Sequence, residues 1–518
     1  MKKVYSRYKI TEKIYNRFKT KDNNVDIMGF LNMMYLNGIL KDDIRISNIC
    51  NELHKLHTKY CDKETFIKII TSNITILEKT IKQDFIIPNF DDLRKNIQKI
   101  YDILVDDMSG DIATYIPQLA KQNPKHFGIS VCTVDGQRLN IGNSNIDFCI
   151  QSCCKPINYC LALEEHGQDK VHRHIGREPS GRKFDSRTLN DEGKPHNPLI
   201  NAGAIMACSL IKQGIKKYER FEYIESMWER LTGNNKINYN HKVFLSEDDT
   251  ADINRALAHE MNANKVFPKD TNVENVLEFY FQCCSLELTT EKMSIVAATL
   301  ANGGICPLTG EKIFSSGTVR NCLSMMYSCG MYDYSGEFAF AIGLPAKSGV
   351  AGGIWVVIPN VMGICIYSPP LDSFGNSVRG VKFLTELCKV YNFHNFDNMI
   401  NCIDSKENPR RRETNNDKNV EHLIKYTSRG DLNSIKRLQF AGISLEEGDY
   451  DNRTALHLAA SNGHYNVIKY FIEQEINLNP IDRWGGTPLD DATREDHTDI
   501  IKLLQDNGAV SNKHDKNV

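Results

Sequence analysis

Apolar positions change their period along the chain, and the changes divide it into distinct textures. From about 10 to 107 they recur at three- and four-residue steps: Ile27, Phe30, Leu31 and Met34, then Ile46, Ile49 and Leu53, then Phe66, Ile69 and Ile70. That spacing predicts several short helices, each burying one stripe. From about 110 to 395 the period drops locally to two. Ile129, Val131 and Thr133 alternate before Asp135-Gly136, and Gln137 to Gly142 follows, a strong hairpin signal. Ile354 to Ile358 and Val361 to Tyr367 make a second pair that turns at Pro359-Asn360. Between the pairs lie apolar stretches with helical punctuation. These are Pro156 to His166 stopped by Gly167, Asn197-Pro198 as cap and first-turn pair leading through Leu210 to Gly214, and Val276 to Phe281. Antiparallel strands with segregated buried helices predict an α+β domain.

Beyond about 420 the pattern repeats itself. Thr454-Ala455-Leu456-His457 and Thr487-Pro488-Leu489-Asp490 lie 33 residues apart, as do Gly430 and Gly463. The same step relates Asp431, His464 and His497; Ile435, Ile468 and Ile501; and Leu438, Phe471 and Leu504. A 33-residue period with a T-x-L-H lead and paired helices is similar to ankyrin repeats, whose units must stack to bury their faces. Three repeats over about 421–512 are expected, behind a polar linker, Glu407 to Val420, that holds Arg410, Arg411 and Arg412. The expected domains are an all-α region at 1–107 that is EF-hand-like without calcium ligands, a catalytic domain at 108–400, a linker at 401–420, the repeats at 421–512 and a polar tail at 513–518. The helix pairs of the first region carry no D-x-[DN]-x-[DN]-G loop with a distal Glu.

Composition narrows the function. In 518 residues, 41% hydrophobic and 25% charged is ordinary globular usage, and a net charge of -2 gives no bulk drive toward nucleic acid or anionic membrane. The apolar runs fall far short of the roughly 20 residues a membrane helix needs. Sixteen cysteines, some adjacent (Cys153 and Cys154, Cys283 and Cys284), fit thiols in a reducing compartment better than paired bridges. No C-x-x-C occurs, and Ala263 stands where a zinc-protease helix begun at His259-Glu260 would place its second His, so no metal is expected. The first 21 residues, basic from Lys2 to Lys21 with one acid at Glu12, read equally as a transit peptide or as the first helix of a folded domain.

The candidate chemistry is S-x-x-K. Serine and lysine three apart on a helix share a face, and a desolvated lysine can take the serine proton. The pattern occurs at Ser6/Lys9, Ser152/Lys155, Ser180/Lys183 and Ser209/Lys212, so context must choose. Ser152 follows the first hairpin, and Pro156 fits only a first helical turn, which places the serine at a helix N-terminus beside open backbone donors. Lys347-Ser348-Gly349, the single K-[ST]-G, immediately precedes the strand at Ile354. In class A β-lactamases and penicillin-binding proteins the two motifs line opposite sides of one site.

Gln151-Ser152-Cys153-Cys154-Lys155-Pro156, Glu178-Pro179-Ser180-Gly181, Lys194 to Ile205 and Gly343 to Gly353 closely resemble the serine-dependent glutaminase family. The likeness covers nearly the whole chain beyond residue 10, since animal members also join a helical region, this domain and an ankyrin segment. It implies a β-lactamase-like catalytic fold and hydrolysis of L-glutamine through a γ-glutamyl ester on Ser152. Lys155 would be the base, Tyr332 would help return a proton to departing ammonia, and the backbone N–H groups of Ser152 and Val350 would hold the oxyanion. Tyr115, Gln151, Asn201, Glu247, Asn254 and Tyr280 match substrate-contacting positions, with Glu247 opposite the α-ammonium group. Read without the resemblance, Glu247-Asp248-Asp249 is a solvated turn, Tyr280 and Tyr332 are core or interface aromatics, and Tyr115 is a helix-face residue. Asn201, polar among Ile200, Ala202 and Ala204, already calls for a partner.

The resemblance implies no metal or organic cofactor, phosphate as an activator, a homodimer or homotetramer, and mitochondrial residence, with the cytoplasm as the alternative because the leader is short. A protein partner through the repeats is expected, and neither nucleic acid nor membrane. In the loop Gly181 to Asp191 this chain has Arg187 and Thr188 where the kidney-type branch has aliphatic and aromatic residues, and Glu260 where it has a tyrosine. A polar contact is therefore expected in place of an apolar one, with weaker binding of allosteric inhibitors that use that pocket. Two rival readings stand: another acyl-serine hydrolase of the β-lactamase kind, and an ankyrin interaction protein with a dead catalytic fold.

Overall fold

Alternation that buries both faces of a sheet demands a layer on each side, and the chain supplies both. The computed structural model describes residues 11–12, 14–16, 18–181, 189–397, 406–410, 416–440 and 443–512, and the chain divides into two units, Met1–Phe396 and Asp397–Val518.

The first unit opens with helices Ile27–Leu36, Ser47–Lys55, Lys63–Ile70 and Ile74–Lys82, whose stripes meet around Phe30, Ile49, Phe66 and Leu77. Two strands of two residues each pair with one another, Val25–Asp26 just ahead of the first of these helices and Tyr60–Cys61 between the second and third. Helix α1 (Phe90–Leu104) then leads into strands β1 (Gly128–Thr133) and β2 (Arg138–Gly142), the predicted hairpin. Arg45 grips its turn by donating to the carbonyls of Asp135 and Gly136 at 2.6 and 2.7 Å.

With β3 (Ala346–Gly349), β4 (Gly353–Ile358) and β5 (Met362–Tyr367) the sheet has five antiparallel strands in the order β2-β1-β5-β4-β3. Period two sorts its side chains. Ile129, Val131, Ile354, Val356, Ile364 and Ile366 face α1 and the helix Val378–Val390; Cys132, Trp355, Val357 and Cys365 belong to the core on the other face. With both faces covered, β4 reads as a continuous apolar run.

The helices on that second face are α2 (Lys155–Val171), α3 (Asn201–Leu210), α4 (His241–Asp249), α5 (Asp252–Ala263), α6 (Val273–Cys284) and α7 (Thr290–Ala301), with α7 directly on the sheet. Two predicted bounds shift. Gly167 breaks α2 with φ +74° and ψ 160°, but a last helical turn continues to Val171. Asn197-Pro198 does not begin α3: the Asn197 side chain accepts from Leu199 N–H at 3.0 Å, a local turn that delays the helix to Asn201.

In the second unit three helix pairs stack: Asn416–Ser428 with Leu432–Phe440, Ala455–Ser461 with Tyr465–Glu473, and Pro488–Arg494 with Thr498–Asp506. The first helix starts before the expected boundary at 421. The periodic histidines explain themselves: His464 meets the carbonyl of Ser428 at 3.0 Å and His497 that of Ser461 at 3.1 Å, so each ties its repeat to the previous one. Leu423, Leu456, Ile468, Phe471 and Leu489 form the shared core.

Candidate active site

The Ser152 turn is held from both sides. Before it, Phe148–Cys149 pairs with Leu286–Leu288, and residues Gln151–Cys154 then form a 3-10 turn that runs straight into α2. Across from it lies β3. A Cβ on Gly349 would sit 2.9 Å from the Ile150 carbonyl oxygen and 3.0 Å from Cys153 Sγ, so glycine is what lets the K-S-G strand lie against the turn. Behind β3, Gly330 serves likewise, since a Cβ there would overlap the Ala346 carbonyl at 1.7 Å.

The Ser152 hydroxyl hydrogen-bonds the Tyr332 phenol, which itself donates to the Ser348 carbonyl at 3.1 Å. Tyr332 and Gln151 both hold left-handed backbone, φ +54° and +48°, a conformation that costs a non-glycine residue about 1–3 kcal/mol. Their surroundings must enforce it.

Two lysines are wholly buried. Lys155 donates to Asn201 Oδ1 at 2.6 Å, and Asn201 in turn donates to Asn254 Oδ1 at 3.0 Å. Burial lowers the Lys155 amine from its ordinary value. Lys347 donates to the carbonyls of Ser348 (2.5 Å) and Gly330 (3.2 Å), with its nitrogen 4.5 Å from the centre of the Tyr332 ring. Burial, then the charge of Lys155, lowers Lys347 to about 7. A charge on Lys155 thus makes a second one on Lys347 harder to hold.

Glu247 lies on α4, buried rather than in a solvated turn. Its carboxylate accepts from the Tyr115 hydroxyl at 2.6 Å and from Gln151 Nε2 at 3.0 Å, and burial raises its proton affinity. Tyr115 is not on a helix; it precedes Pro117–Ala120, and though 47% of it is exposed, its hydroxyl is inserted toward Glu247. A small core of Ile116, Cys149, Val243 and Ala351, with Val350 against it, fixes this corner. Tyr280 is buried on α6, its phenol pushed well up by burial and by nearby acids that include Glu247.

All the residues singled out from the sequence thus fall into one neighbourhood: the turn and α2 give Gln151, Ser152 and Lys155, α3 to α6 give Asn201, Glu247, Asn254 and Tyr280, and Tyr115, Tyr332 and Val350 come from adjoining loops and turns. Lys347, marked in the sequence by its K-[ST]-G motif without a role of its own, belongs with them. Of the other S-x-x-K pairs, Ser6/Lys9 and Lys183 lie outside the described residues, as do Arg187 and Thr188, and the Ser209 hydroxyl is spent on the Met206 carbonyl at 2.7 Å. Glu260 is exposed on α5.

Comparison with known proteins agrees with this geometry. The glutaminase family model matches residues 110–396, three ankyrin repeats match 423–515 and an EF-hand domain model matches 10–88. The chain is 43% identical over 491 residues to the mitochondrial liver isoform of glutaminase from Mus musculus, covering 93% of this chain and 81% of that protein. It is 41% identical to putative glutaminase 3 of Caenorhabditis elegans, covering 97% and 88%. Among solved structures, a probable glutaminase, ybaS, superposes with a TM-score of 0.56 at 34% identity, over 59% of this chain and 98% of that one.

Proposed function

This chain belongs to the glutaminase family and is an enzyme that hydrolyses L-glutamine to L-glutamate, and we propose that it does so through a γ-glutamyl ester on Ser152. The observation that carries the mechanism is the meeting of a buried serine hydroxyl, a phenol and two amines of depressed basicity on one turn-and-strand junction.

In the proposed acylation Ser152 Oγ attacks the side-chain carbonyl carbon of glutamine. Its proton passes to neutral Lys155, three residues further along the same turn. The backbone N–H groups of Ser152 and Val350 receive the oxyanion. The C–N bond breaks as the proton is returned to the nitrogen, and ammonia leaves. Water, deprotonated by the same groups, attacks the ester, and glutamate leaves with the Ser152 hydroxyl restored. Burial keeps Lys155 neutral, and Lys347 braces the ring of Tyr332. Asn201 holds the Lys155 amine in place. Glu247 pairs with the substrate α-ammonium, while Asn254, Tyr280 and Tyr115 supply neutral hydrogen bonds to the amino-acid end. These steps use only groups of this protein, the substrate and water.

The reading extends to the wider protein. We place the enzyme in mitochondria, as the names of the mouse and rat relatives place theirs, and assign it a homodimeric or homotetrameric state. The ankyrin unit is assigned a protein partner, with Tyr450 and Trp484 as exposed contact residues. Neither nucleic acid nor membrane is assigned as a partner, and phosphate is assigned as an activator. Acid-quenching the enzyme during turnover and mapping the modified peptide by mass spectrometry tests the mechanism. A glutamyl adduct on Ser152 is expected; its absence under conditions that trap esters would overturn it.

A further inference from the structure

A second cavity, of about 580 Å3, lies between the N-terminal helices and the open edge of β2. Its size falls within the roughly 300–1,000 Å3 of small-molecule sites. The walls are apolar, among them Met28, Leu31, Met34 and Tyr35 from one helix and Phe90 from α1. Its polar residues include Arg138 and Asn140, neighbours on one face of β2.

Arg138 is 3% exposed. Its Nη1 donates to Glu291 (2.8 Å) and Asp42 (3.3 Å) and its Nη2 to Asp42 (3.1 Å), but its Nε has no partner. The buried Oδ1 of Asn140 has none either. The backbone adds to this. Thr133 N–H donates to the Gln137 carbonyl and Asn143 N–H to that of Phe127, so the hydrogen-bonded phase falls on alternate residues and turns the main chain of Arg138 and Asn140 away from β1. The outward N–H of Arg138 is taken by the Gly38 carbonyl at 2.6 Å. The N–H and C=O of Asn140 have no partner among the described residues.

We propose that this cavity binds a neutral, mostly apolar small molecule carrying one amide-like donor–acceptor pair. The Arg138 charge is already matched by Asp42 and Glu291, which disfavours an added anion. The Gly38–Arg138 bond closes one end of the edge, and of the outward-facing residues still open only Asn140 lines the cavity, which leaves it one residue's pair of hydrogen bonds and not a strand-long set. The outward N–H and C=O of Asn140 call for an acceptor and a donor side by side, so a ligand amide is favoured over an isosteric ester that lacks the donor. The site is separate from the catalytic turn and does not depend on the mechanism above.

The test uses the full-length enzyme and N-benzylacetamide as probe, followed by saturation-transfer NMR and thermal shift. Saturable binding with a Kd of about 1 mM is expected, unaffected by excess glutamine. Benzyl acetate should bind at least about tenfold more weakly, since it lacks the N–H. The cavity-filling variants Leu31→Trp and, at the exposed rim, Met28→Trp should weaken the probe by about tenfold or more while retaining glutaminase activity. Non-saturable binding, equal affinity for the ester, competition by glutamine, or unchanged affinity in both folded variants would overturn the proposal. Tighter binding of acetyl-trivaline amide than of the probe would also overturn it, by assigning the edge to peptides.

Discussion

Lys155 and Asn201 meet at 2.6 Å across 46 residues of sequence, joining the helix that follows the nucleophile to the first turn of the next helix in the core. The amide oxygen accepts from the amine whether it is charged or neutral, so it orients Lys155 without fixing its charge. Asn201→Asp replaces that oxygen by a carboxylate and should raise the Lys155 pKa by about 1–3 units. The acid limb of the kcat/KM profile should then move at least about one pH unit toward alkali, which a pH series of ammonia release would read; an unmoved limb would remove Lys155 from the role of base.

Ser152→Ala removes the nucleophile and leaves the substrate pocket. Ammonia release should fall by about 10^3-fold or more. Glutamine binding, measured by calorimetry, should persist. Full activity in this variant would exclude the acyl-serine route.

Lys347 titrates near 7 in the folded protein against about 10.4 when exposed. Between those values the unfolded chain binds more protons than the folded one, so this residue makes stability rise with pH, by at most about 1.4 kcal/mol per unit, from 7 to about 10; below 7 its contribution is level. Lys347→Met should flatten that slope, raise the Tm at pH 7 and lower kcat. Calorimetric melts at pH 6 to 9 check the first two and steady-state rates the third.

Glu247→Gln keeps the shape of the pocket and removes its negative charge. Because burial raises this carboxyl, wild-type KM should climb as pH falls and the group takes up its proton. The variant should show that raised KM, about 30-fold or more, across the range, with kcat changed less than about fivefold.

Gly349→Ala tests the contact between strand and turn. A methyl placed 2.9–3.0 Å from Ile150 O and Cys153 Sγ must push β3 off the nucleophile. A destabilisation of about 1–3 kcal/mol and a drop in kcat larger than the change in KM are expected from denaturation and kinetics.

The layers were legible because β4 and β5 are buried on both sides and read as uninterrupted apolar runs, and because the 33-residue step puts His464 and His497 in equivalent bonds. Ser152 stood out by its neighbour Pro156. What local pattern could not reach was set by distant contacts. Glu247 looks like one of three solvated acids, and only its docking on Tyr115, 132 residues away, makes it internal. Asn197-Pro198 has the chemistry of a helix start, yet its side chain satisfies Leu199 instead. Lys347 lay in plain view within its motif, but its depressed basicity arises from burial beside Lys155.

The left-handed backbone at Gln151 and Tyr332 limits how this enzyme can drift over generations. Glycine is the replacement the main chain would accept most readily at either position, and it would delete the amide that meets Glu247 or the phenol that meets Ser152. Any other substitution inherits the torsional cost without the contact that justified it. A single exchange at either position therefore loses a contact of the site, keeps the torsional cost, or both.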